Sequence, residues 1–569
     1  MNNPQSTQPK NSSRSGGEVL IDGLIKYGAE KIFCVPGESY LAALDACYDR
    51  QDRIQIITCR QEGGAAYMAE AYAKLTDKPG ICFVSRGPGA SNAMIGIHTA
   101  FQDSTPVLLF IGQVGRGEVG REAFQELDFK QVYGGVAKKV ITFNDARRIP
   151  EQLGQAWQIA VSGRPGPVVV ELPEDMLTDR VKVADLDPGE VVAASPSAES
   201  IAQLAHCLRQ ATTAIVLCGG AGWTPQASAY LRQFAEKQNL AVATVFRRTD
   251  CFDNTHPNYI GEMGSAPNPK LVEQVQAADL LIVVGPRLGD ITTSGYRIFN
   301  VPDRKSQNPA QENQPQKNQP QKLIHVHIGA EEINSVYRAD LGIVSHPEHF
   351  LKAACAIVKS RPKSAPESKI DSSKMIKKGN KIYLEFLNRP RNRDAALRMD
   401  KVTKILRDRL SADAIITNGA GNYAIWAQRH YQFRQPKTQL ASTNGSMGYG
   451  VPSAIAAKLA RPQSTVVSFS GDGCFLMNGQ ELATAIQYQL NIIFLIINNK
   501  SYGTIRSHQQ LHYPGRPIAT ALENPDFAAL AEAYGAFGAV VTRTNQFATA
   551  FEKALNAGRS AVIELRIDY

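Results

Sequence analysis

Short apolar runs alternate with amphipathic stretches along most of the chain. Residues 466–469 and 492–497 are rich in apolar and β-branched side chains, which is typical of buried strands. Between them, Leu482, Ala485 and Ile486 form an apolar stripe at helical spacing. A strand, a helix and a strand in this order predict a βαβ unit with parallel strands and a right-handed crossover.

Polar residues follow both of these predicted strands. Gly471, Asp472 and Gly473 interrupt the first run, and Asn498 and Asn499 end the second. We expect Asp472 and Asn499 to lie at the carboxyl edge of the sheet, where open α/β sheets bind ligands. Their oxygens suit Mg²⁺ that carries a diphosphate, and Gly473 lets the backbone approach phosphate closely. For the glycine turn alone, an ordinary strand-to-helix turn is the alternative.

The helix of this unit has a predicted amino-terminal cap. Asn478 is followed three residues later by Glu481, which is the spacing of a reciprocal capping box. The glycine turn, the capped helix and the paired asparagines together favour a magnesium and diphosphate site over an ordinary turn.

The same alternation predicts an α/β fold of three domains, each with a doubly wound parallel sheet. We place the domains at residues 15–180, 195–358 and 385–569. The predicted strands are 31–35, 54–58, 81–85, 107–111 and 168–172 in the first domain, 214–217 and 280–284 in the second, and 414–417, 466–469, 492–497 and 561–567 in the third.

Polar segments lie between and within these domains. Residues 181–198 and 359–378 are predicted to be linkers. Residues 302–321 are rich in Pro, Gln and Lys, and we expect a disordered surface loop there. Residues 1–16 contain no apolar segment, which indicates a disordered tail rather than a signal peptide.

Composition narrows the class of protein. Of 569 residues, 43% are hydrophobic and 20% are charged, and no apolar run is long enough to span a membrane. The net charge of +9 is modest and no basic repeat with interleaved aromatic residues occurs, so nucleic acid is not implied. The nine cysteines form no CxxC pair, which argues against a zinc site or a disulfide framework. The cytoplasm is the simplest location.

A longer pattern surrounds Glu62, which follows a predicted strand and begins a predicted helix. By itself, an acidic residue at a helix start is explained by the helix dipole. The stretch RQEGGAAYMAEAYAKLT and the residues after it, however, resemble the amino-terminal pyrimidine-binding domain of acetolactate synthases. GDG followed by NN resembles the diphosphate signature of the same superfamily, which uses thiamine diphosphate (ThDP, also called thiamine pyrophosphate). The resemblance extends from Glu18 to the last predicted strand.

This resemblance implies roles for individual residues. Glu62 would hydrogen-bond the aminopyrimidine ring and favour the tautomer that takes the C2 proton, while the cofactor carries the chemistry. Phe124 and Gln125 are further expected catalytic residues. The expected cofactor contacts are Gly421, Asn422, Tyr423, Gly445, Met447, Gly471, Gly473, Cys474 and Tyr502. The expected Mg²⁺ ligands are Asp472, Asn499 and the backbone carbonyl of Ser501.

Met447 would lie under the bent cofactor, although a methionine in a glycine-rich turn is also typical of ordinary core. The three implied domains are a pyrimidine-binding domain, a central Rossmann-like domain and a diphosphate-binding domain. In this superfamily the two cofactor-binding domains come from different subunits. A homodimer or homotetramer with active sites at the subunit interface is therefore expected.

The implied reaction is decarboxylation of a small-molecule 2-oxo acid, after which the enamine is protonated or joined to an acceptor carbonyl. One alternative keeps the cofactor and cleaves a C–C bond of a 2-hydroxyacyl-CoA or a cyclic diketone. A second alternative is a non-catalytic nucleotide-binding protein, which would need neither Glu62 nor the GDG and NN pair.

FAD is a separate question. The glycine turn at 219–222 resembles the flavin-contacting loop of acetolactate synthases. Related proteins keep this fold without flavin or bind a different nucleotide there, so the sequence leaves FAD open.

The chain also departs from the acetolactate synthase pattern. Glu174 stands where that family has a lysine, Ile291 where it has an arginine, and His508 where it has a tryptophan. The carboxyl-terminal extension that helps to close those sites is missing as well. These departures put the acceptor in doubt, and Arg287 or His508 are the candidates to compensate.

Overall fold

The computed structural model describes residues 13–298, 321–359, 373–391 and 394–567. The insert predicted at 302–321, apart from its last residue, lies outside this part, as do the first 12 residues of the predicted tail. The described residues form three six-stranded sheets, and every strand pair within them is parallel. The predicted fold class is confirmed. No helix in the described ranges has the length and apolar character needed to cross a membrane.

The first domain packs helices on both faces of its sheet, because successive residues of each strand join two different apolar clusters. Its strands are β1 (Arg14–Ser15), β2 (Lys31–Cys34), β3 (Gln55–Thr58), β4 (Gly80–Val84), β5 (Val107–Gln113), β6 (Lys139–Thr142), β7 (Pro167–Pro173) and β8 (Arg180–Val181). Its helices are α1 (Gly16–Lys26), α2 (Leu41–Tyr48), α3 (Glu62–Thr76), α4 (Gly87–Asp103), α5 (Phe129–Tyr133), α6 (Ile149–Val161) and α7 (Glu174–Thr178). The sheet order is β3-β2-β4-β5-β7-β6, and β1 pairs with β8 separately.

The central domain has a different strand order. Its strands are β9 (Ala214–Cys218), β10 (Ala241–Val245), β11 (Tyr259–Met263), β12 (Leu280–Val284), β13 (Lys322–His327) and β14 (Leu341–Val344). Its helices are α8 (Ala198–Gln210), α9 (Pro225–Gln238), α10 (Pro269–Ala277), α11 (Pro347–Lys359) and α12 (Ser373–Leu387). The order β11-β10-β9-β12-β13-β14 is that of dinucleotide-binding Rossmann folds.

The third domain repeats the strand order of the first. Its strands are β15 (Ile415–Asn418), β16 (Gln439–Ala441), β17 (Val466–Gly471), β18 (Ile492–Asn498), β19 (Phe537–Val541) and β20 (Ala561–Arg566). Its helices are α13 (Met399–Arg409), α14 (Ala424–His430), α15 (Gly450–Ala460), α16 (Asp472–Phe475), α17 (Leu482–Gln487), α18 (Gly503–His512), α19 (Phe527–Ala533) and α20 (Thr544–Leu555). The order β16-β15-β17-β18-β20-β19 has the same connectivity as the first sheet, and β17 and β18 pair in parallel as predicted.

Helix α3 joins the first and third domains through a buried polar cluster. Tyr449 and Thr105 donate hydrogen bonds to the fully buried carboxylate of Glu70, at 2.6 and 2.8 Å. Lys74 forms an ion pair with the same carboxylate at 2.8 Å and also contacts Asp103. These contacts fix the two domains of one chain against each other.

The capping box predicted at Asn478 and Glu481 is wrong. Asn478 makes no side-chain cap, and a 3₁₀ turn precedes α17. The Glu481 carboxylate accepts instead from the backbone amides of Arg60 and Gln61, at 2.9 and 3.0 Å. A contact with the first domain thus takes the place of the local cap.

Three predicted irregular segments overlap helices or strands at their ends. The linker predicted at 181–198 begins with the last residue of β8 and ends with the first residue of α8. Of the predicted tail, Arg14 and Ser15 form β1, and Ser15 caps α1 in a capping box with Glu18. Of the linker predicted at 359–378, the first residue ends α11 and the last six residues belong to α12. This helix packs on the central sheet, where the rings of Tyr383 and Tyr259 meet edge to face at 4.8 Å.

Candidate active site

The carboxyl ends of β15, β17 and β18 form one edge of the third sheet, at the point where its strand order reverses. A cavity of about 490 Å³ lies between the loops that follow these strands. The structure brings to this cavity all twelve third-domain residues that the sequence suggested: Gly421, Asn422, Tyr423, Gly445, Met447, Gly471, Asp472, Gly473, Cys474, Asn499, Ser501 and Tyr502.

Asp472 supplies the carboxylate of this cavity. It begins α16 directly after β17, and its side chain accepts hydrogen bonds from Gly473 N at 2.9 Å and Asn524 Nδ2 at 2.8 Å. Burial raises the pKa of Asp472 more than these hydrogen bonds lower it. Asn499 follows the neighbouring strand, and its Oδ1 accepts from Ser501 N at 3.2 Å. With the Ser501 carbonyl that the resemblance implies, the expected donor set is one carboxylate, one amide oxygen and one backbone carbonyl.

These are hard oxygen ligands of the kind that Mg²⁺ prefers. Within the described ranges, no group of three His, Cys, Asp or Glu side chains could hold a metal ion. A metal at this edge would therefore depend on Asp472 as its charged ligand.

Asn524 is a site residue that sequence reasoning missed. Its Nδ2 donates to Asp472 Oδ2 and, at 3.0 Å, to Asn498 Oδ1, so it links the ends of β17 and β18. Its own Oδ1 is buried and has no partner among the described residues. No local motif identifies Asn524 as a site residue, because its partners are 52 and 26 positions away in the sequence.

Tyr423 and Cys474 hold two of the site loops together. The Tyr423 hydroxyl donates to Cys474 Sγ at 3.0 Å, and Gly448 N donates to the same sulfur at 3.1 Å. The Tyr423 ring lies against Gly471, where an added Cβ would approach a ring carbon to 2.6 Å. Both side chains are buried, so they shape the cavity wall; their contact with a cofactor stays a prediction.

The loop that carries Met447 is fixed by the first domain. Asp103 accepts from Thr443 N at 2.8 Å, and the Asn444 side chain donates to Thr99 at 3.0 Å. Gly445 has φ +73°, and no atom lies within 4 Å of the position a Cβ would take. The turn therefore presents open backbone to the cavity at Gly445, which the resemblance implies as a cofactor contact.

Glu62 begins α3, as predicted, and accepts a hydrogen bond from Asn92 Nδ2 at 2.9 Å. Gln61 caps the helix by accepting from Gly64 N at 3.0 Å. None of the residues that line the 490 Å³ cavity in the described chain belongs to the first domain. One chain thus keeps Glu62 apart from the Asp472 cavity.

The chain matches three family models, described as the N-terminal TPP binding domain, the central domain and the C-terminal TPP binding domain of thiamine pyrophosphate enzymes, over residues 14–132, 201–354 and 419–565. It is 31% identical to an acetolactate synthase large subunit of Buchnera aphidicola, over 97% of this chain and 95% of the relative. The chain belongs to the thiamine pyrophosphate enzyme family.

Two further relatives of this thiamine pyrophosphate enzyme cover nearly its whole length. It is 30% identical to the acetolactate synthase isozyme 2 large subunit of Escherichia coli, over 97% of this chain and 96% of the relative. It is also 30% identical to a probable acetolactate synthase large subunit of Methanocaldococcus jannaschii, over 97% of this chain and 92% of the relative. The resemblance stated from the sequence is confirmed.

The loop with the predicted catalytic residues Phe124 and Gln125 lies against the start of α4. Phe124 is 70% exposed, and Gln125 has φ +64° and accepts from Gly87 N at 2.9 Å. Arg86 anchors this loop, because its guanidinium donates to the Phe124 carbonyl at 3.3 Å. Sequence reasoning missed this contact of Arg86.

Arg287 and His508, the candidates to compensate for Ile291, both contact other side chains. Ile291 and Arg287 line a cavity of about 290 Å³ that residues of all three domains enclose. Arg287 forms an ion pair with Glu332 at 3.1 Å and donates to Gln102 at 3.2 Å. His508, the other candidate to compensate, lies on α18. Its ring stacks on that of His512, with the ring centres 6.3 Å apart.

The glycine turn at 219–222 follows β9 and faces Gly285. A Cβ added to Gly220 would meet the Gly285 carbonyl oxygen at 2.0 Å, and the Trp223 indole donates to the Gly219 carbonyl. This turn is therefore packed against the chain's own backbone. Open space lies beside it, in the 290 Å³ cavity and in a second cavity of about 710 Å³.

Proposed function

We propose that this enzyme binds ThDP and Mg²⁺ at the carboxyl edge of the third sheet and decarboxylates a 2-oxo acid. The remaining acyl unit is then protonated or joined to an acceptor carbonyl. The observation that carries the proposal is that Asp472, Asn499 and Ser501 all line one 490 Å³ cavity. The names of the relatives, all acetolactate synthases, support a 2-oxo acid as substrate.

The residues of the cavity fit a metal-bound diphosphate. Asp472 offers a charged oxygen, and the Ser501 carbonyl, which accepts one hydrogen bond from Gly503 N at 2.8 Å, keeps a second lone pair. Asn422 presents its amide beside Thr504, whose hydroxyl donates to it at 3.0 Å. Bound ThDP would supply the electron sink that lets a 2-oxo acid lose its carboxylate.

Glu62 is the proposed acid partner of the cofactor's pyrimidine ring. Its position at the first turn of α3 gives it a fixed backbone, and Asn92 holds one of its oxygens at 2.9 Å. The other oxygen lies near Gly89, 3.4 Å from the position that a Cβ would take there. With ThDP bound, Glu62 would hold the proton that it shares with the ring and so favour the reactive tautomer.

The active unit is proposed to be a homodimer or a homotetramer. The cavity of one chain has no first-domain lining residue in the described ranges, and Glu62 is needed beside it. A second copy that presents its Glu62 to the Asp472 cavity would complete the site. Neither a nucleic acid nor a membrane is proposed as a partner, and the cytoplasmic location stays a prediction.

FAD is not part of this proposal. The glycine turn that suggested it packs on Gly285 backbone. None of the proposed steps requires a flavin.

A turnover screen tests the proposed function. Purified protein with added ThDP and Mg²⁺ is given a panel of 2-oxo acids, and carbon dioxide and carboligation products are measured. We expect release of carbon dioxide from at least one of them that disappears when ThDP or Mg²⁺ is omitted. Turnover confined to 2-hydroxyacyl-CoA or cyclic diketone substrates in the same screen would replace the proposal by the lyase alternative.

A further inference from the structure

Arg247 of the central domain is buried at the boundary with the third domain. It follows β10 by two residues, is 6% exposed and has φ +57°, a left-handed conformation that is uncommon for residues other than glycine. Its guanidinium carbon lies 4.9 Å from the centre of the Phe246 ring. The backbone turn and the stacked ring together aim the guanidinium out of its own domain.

The guanidinium donates to two carbonyl oxygens of the third domain. Nη1 donates to Ser442 O at 2.6 Å and Nη2 donates to Gly419 O at 2.9 Å. Gly419 follows the end of β15, and Ser442 follows the end of β16, the neighbouring strand. One planar side chain therefore spans the carboxyl ends of two adjacent strands.

Both carbonyls stand at the start of loops that line the candidate active site. Ala420 and Gly421, directly after Gly419, line the 490 Å³ cavity, as do Gly445 and Met447 after Ser442. The distance between the two loops is thus set where they leave the sheet. A guanidinium suits this task because its donors lie in a rigid plane.

Space filling alone does not explain a charged side chain here. In the described part of the chain, no carboxylate lies within ion-pair distance of the Arg247 guanidinium. Burying a cation without a paired anion is unfavourable unless hydrogen bonds compensate it. The two hydrogen bonds from the guanidinium to backbone carbonyls compensate for the burial of its charge.

We propose that Arg247 is a positioning residue for the cofactor: it sets the spacing of the two loops, so that the central domain controls the affinity of the third domain for ThDP. This inference rests on the proposed function, because it takes the 490 Å³ cavity to be the ThDP site. The central domain would then affect cofactor binding without binding a ligand itself.

A second contact of the same boundary supplies a control. Asn254 accepts from Phe433 N at 2.9 Å, and Asn254 N donates to Phe433 O at 2.9 Å. This contact holds the central domain on the third domain, yet Phe433 does not line the cavity. Asn254→Ala therefore weakens the domain boundary without touching either loop.

The test compares Arg247→Met, Arg247→Lys and Asn254→Ala with the parent protein by calorimetric titration with Mg²⁺ and ThDP and by urea unfolding. We expect Arg247→Met to raise the ThDP Kd at least tenfold. Arg247→Lys keeps the charge but not the planar pair of donors, and we expect a rise of about threefold to fivefold. Asn254→Ala should lower the unfolding midpoint and leave the Kd within twofold of the parent value.

Each outcome decides between the alternatives. A parent protein that does not bind ThDP would overturn the proposed function and this inference together. A parent that binds ThDP, with an Arg247→Met Kd within twofold of it, would overturn the inference alone, as would an equal loss of affinity in Asn254→Ala. If Arg247→Met does not fold, Arg247→Lys decides, and an unchanged Kd in that variant rejects the inference.

Discussion

The carboxylate of Glu174 forms an ion pair with the guanidinium of Arg86, whose side chain is 9% exposed. The sequence places Glu174, a negative charge, where the acetolactate synthase pattern has a lysine. The structure pairs that charge with Arg86 inside the first domain. Arg86 also holds the Phe124 carbonyl, so the ion pair supports the loop of the predicted catalytic residues.

Glu174→Gln should destabilise the first domain. The substitution leaves the buried Arg86 guanidinium without its counter-charge, and because Glu174 is 40% exposed we expect a loss of only about 1–2 kcal/mol. Urea unfolding of the parent, both single variants and the double variant Arg86→Met/Glu174→Gln measures the coupling. Strictly additive single effects would show that the pair contributes nothing.

Asn524→Ala should weaken metal binding although Asn524 is not a proposed ligand. It orients Asp472 and links it to Asn498, and loss of such a supporting hydrogen bond typically lowers metal affinity about tenfold to a hundredfold. Titration with Mg²⁺ at saturating ThDP measures the change, with Asp472→Ala as the variant in which tight binding is lost. Asp526→Ala, an exposed acid two positions further on, is the control and should bind as the parent does.

Glu62→Gln should separate cofactor binding from cofactor activation. The amide keeps the shape of the carboxyl group but cannot supply the acid, so exchange of the thiazolium C2 proton should slow by about a hundredfold to ten-thousandfold. ThDP affinity should change little. Proton exchange followed by NMR is the measurement, and Glu151→Gln, an exposed first-turn acid of α6, is the matched control. Exchange at the parental rate would make Glu62 a helix-start acid without a catalytic role.

The buried carboxyl group of Glu262 should make the stability of the protein depend on pH. Burial raises the pKa of Glu262 from its ordinary 4.5 to about 7, against smaller lowering effects from Gln428 and from Arg247 N at 3.2 Å. Between these two pH values the folded state holds a proton that the unfolded chain has lost. Its contribution to stability is therefore complete below about pH 4.5 and is lost as the pH rises through about 7.

The comparison of Glu262→Gln with the parent isolates this effect. The glutamine does not titrate, so the unfolding free energy of the parent should fall relative to that of the variant between pH 4.5 and 7. Urea unfolding at several pH values gives the difference directly. Glu199→Gln, which changes an exposed acid, should follow the parent, whereas parallel profiles for Glu262→Gln and the parent would contradict the assignment.

The sequence predicted those parts of the fold that local patterns encode. β17 and β18 are buried on both faces and therefore appear as continuous apolar runs. Edge strands β14, β16 and β19 were not predicted, because they are short or half-exposed and carry no such run. The interior strands β10 and β13 were missed as well, although both are buried. The cap predicted at Asn478 and Glu481 is wrong for the opposite reason. The local motif is present, but the Glu481 carboxylate accepts hydrogen bonds from backbone amides of the first domain instead.

The same division holds for the candidate site. Asp472 and Asn499 could be predicted because each directly follows a strand of one βαβ unit. Asn524, Arg86 and Arg247 could not, because their contacts join residues 26 to 195 positions apart. Contacts between residues so far apart in the sequence depend on the tertiary fold, and no local spacing in a single sequence indicates them.

The last prediction concerns the acceptor. Condensing two 2-oxo acids requires a group that holds the acceptor's carboxylate, and a guanidinium matches a carboxylate with two parallel hydrogen bonds. Ile291 offers no donor at the matching position, and Arg287 is engaged by Glu332 and Gln102. The missing charged hydrogen bond corresponds to about 1.5–3 kcal/mol, or roughly a tenfold to hundredfold loss in acceptor use.

We therefore expect weak formation of acetohydroxy acids from pyruvate alone, and from pyruvate with 2-oxobutyrate, beside faster turnover of another donor or acceptor. Ile291→Arg should raise the ratio of carboligation to simple decarboxylation, because it restores a guanidinium where the resemblance expects one, and Ile291 is 38% exposed, which leaves room for the longer side chain. Ile291→Gln, which adds polarity without the charge, is the matched control and should change the ratio little. Parental carboligation as fast as that of a biosynthetic acetolactate synthase would refute the prediction, because the acceptor would then be held without an arginine at this position.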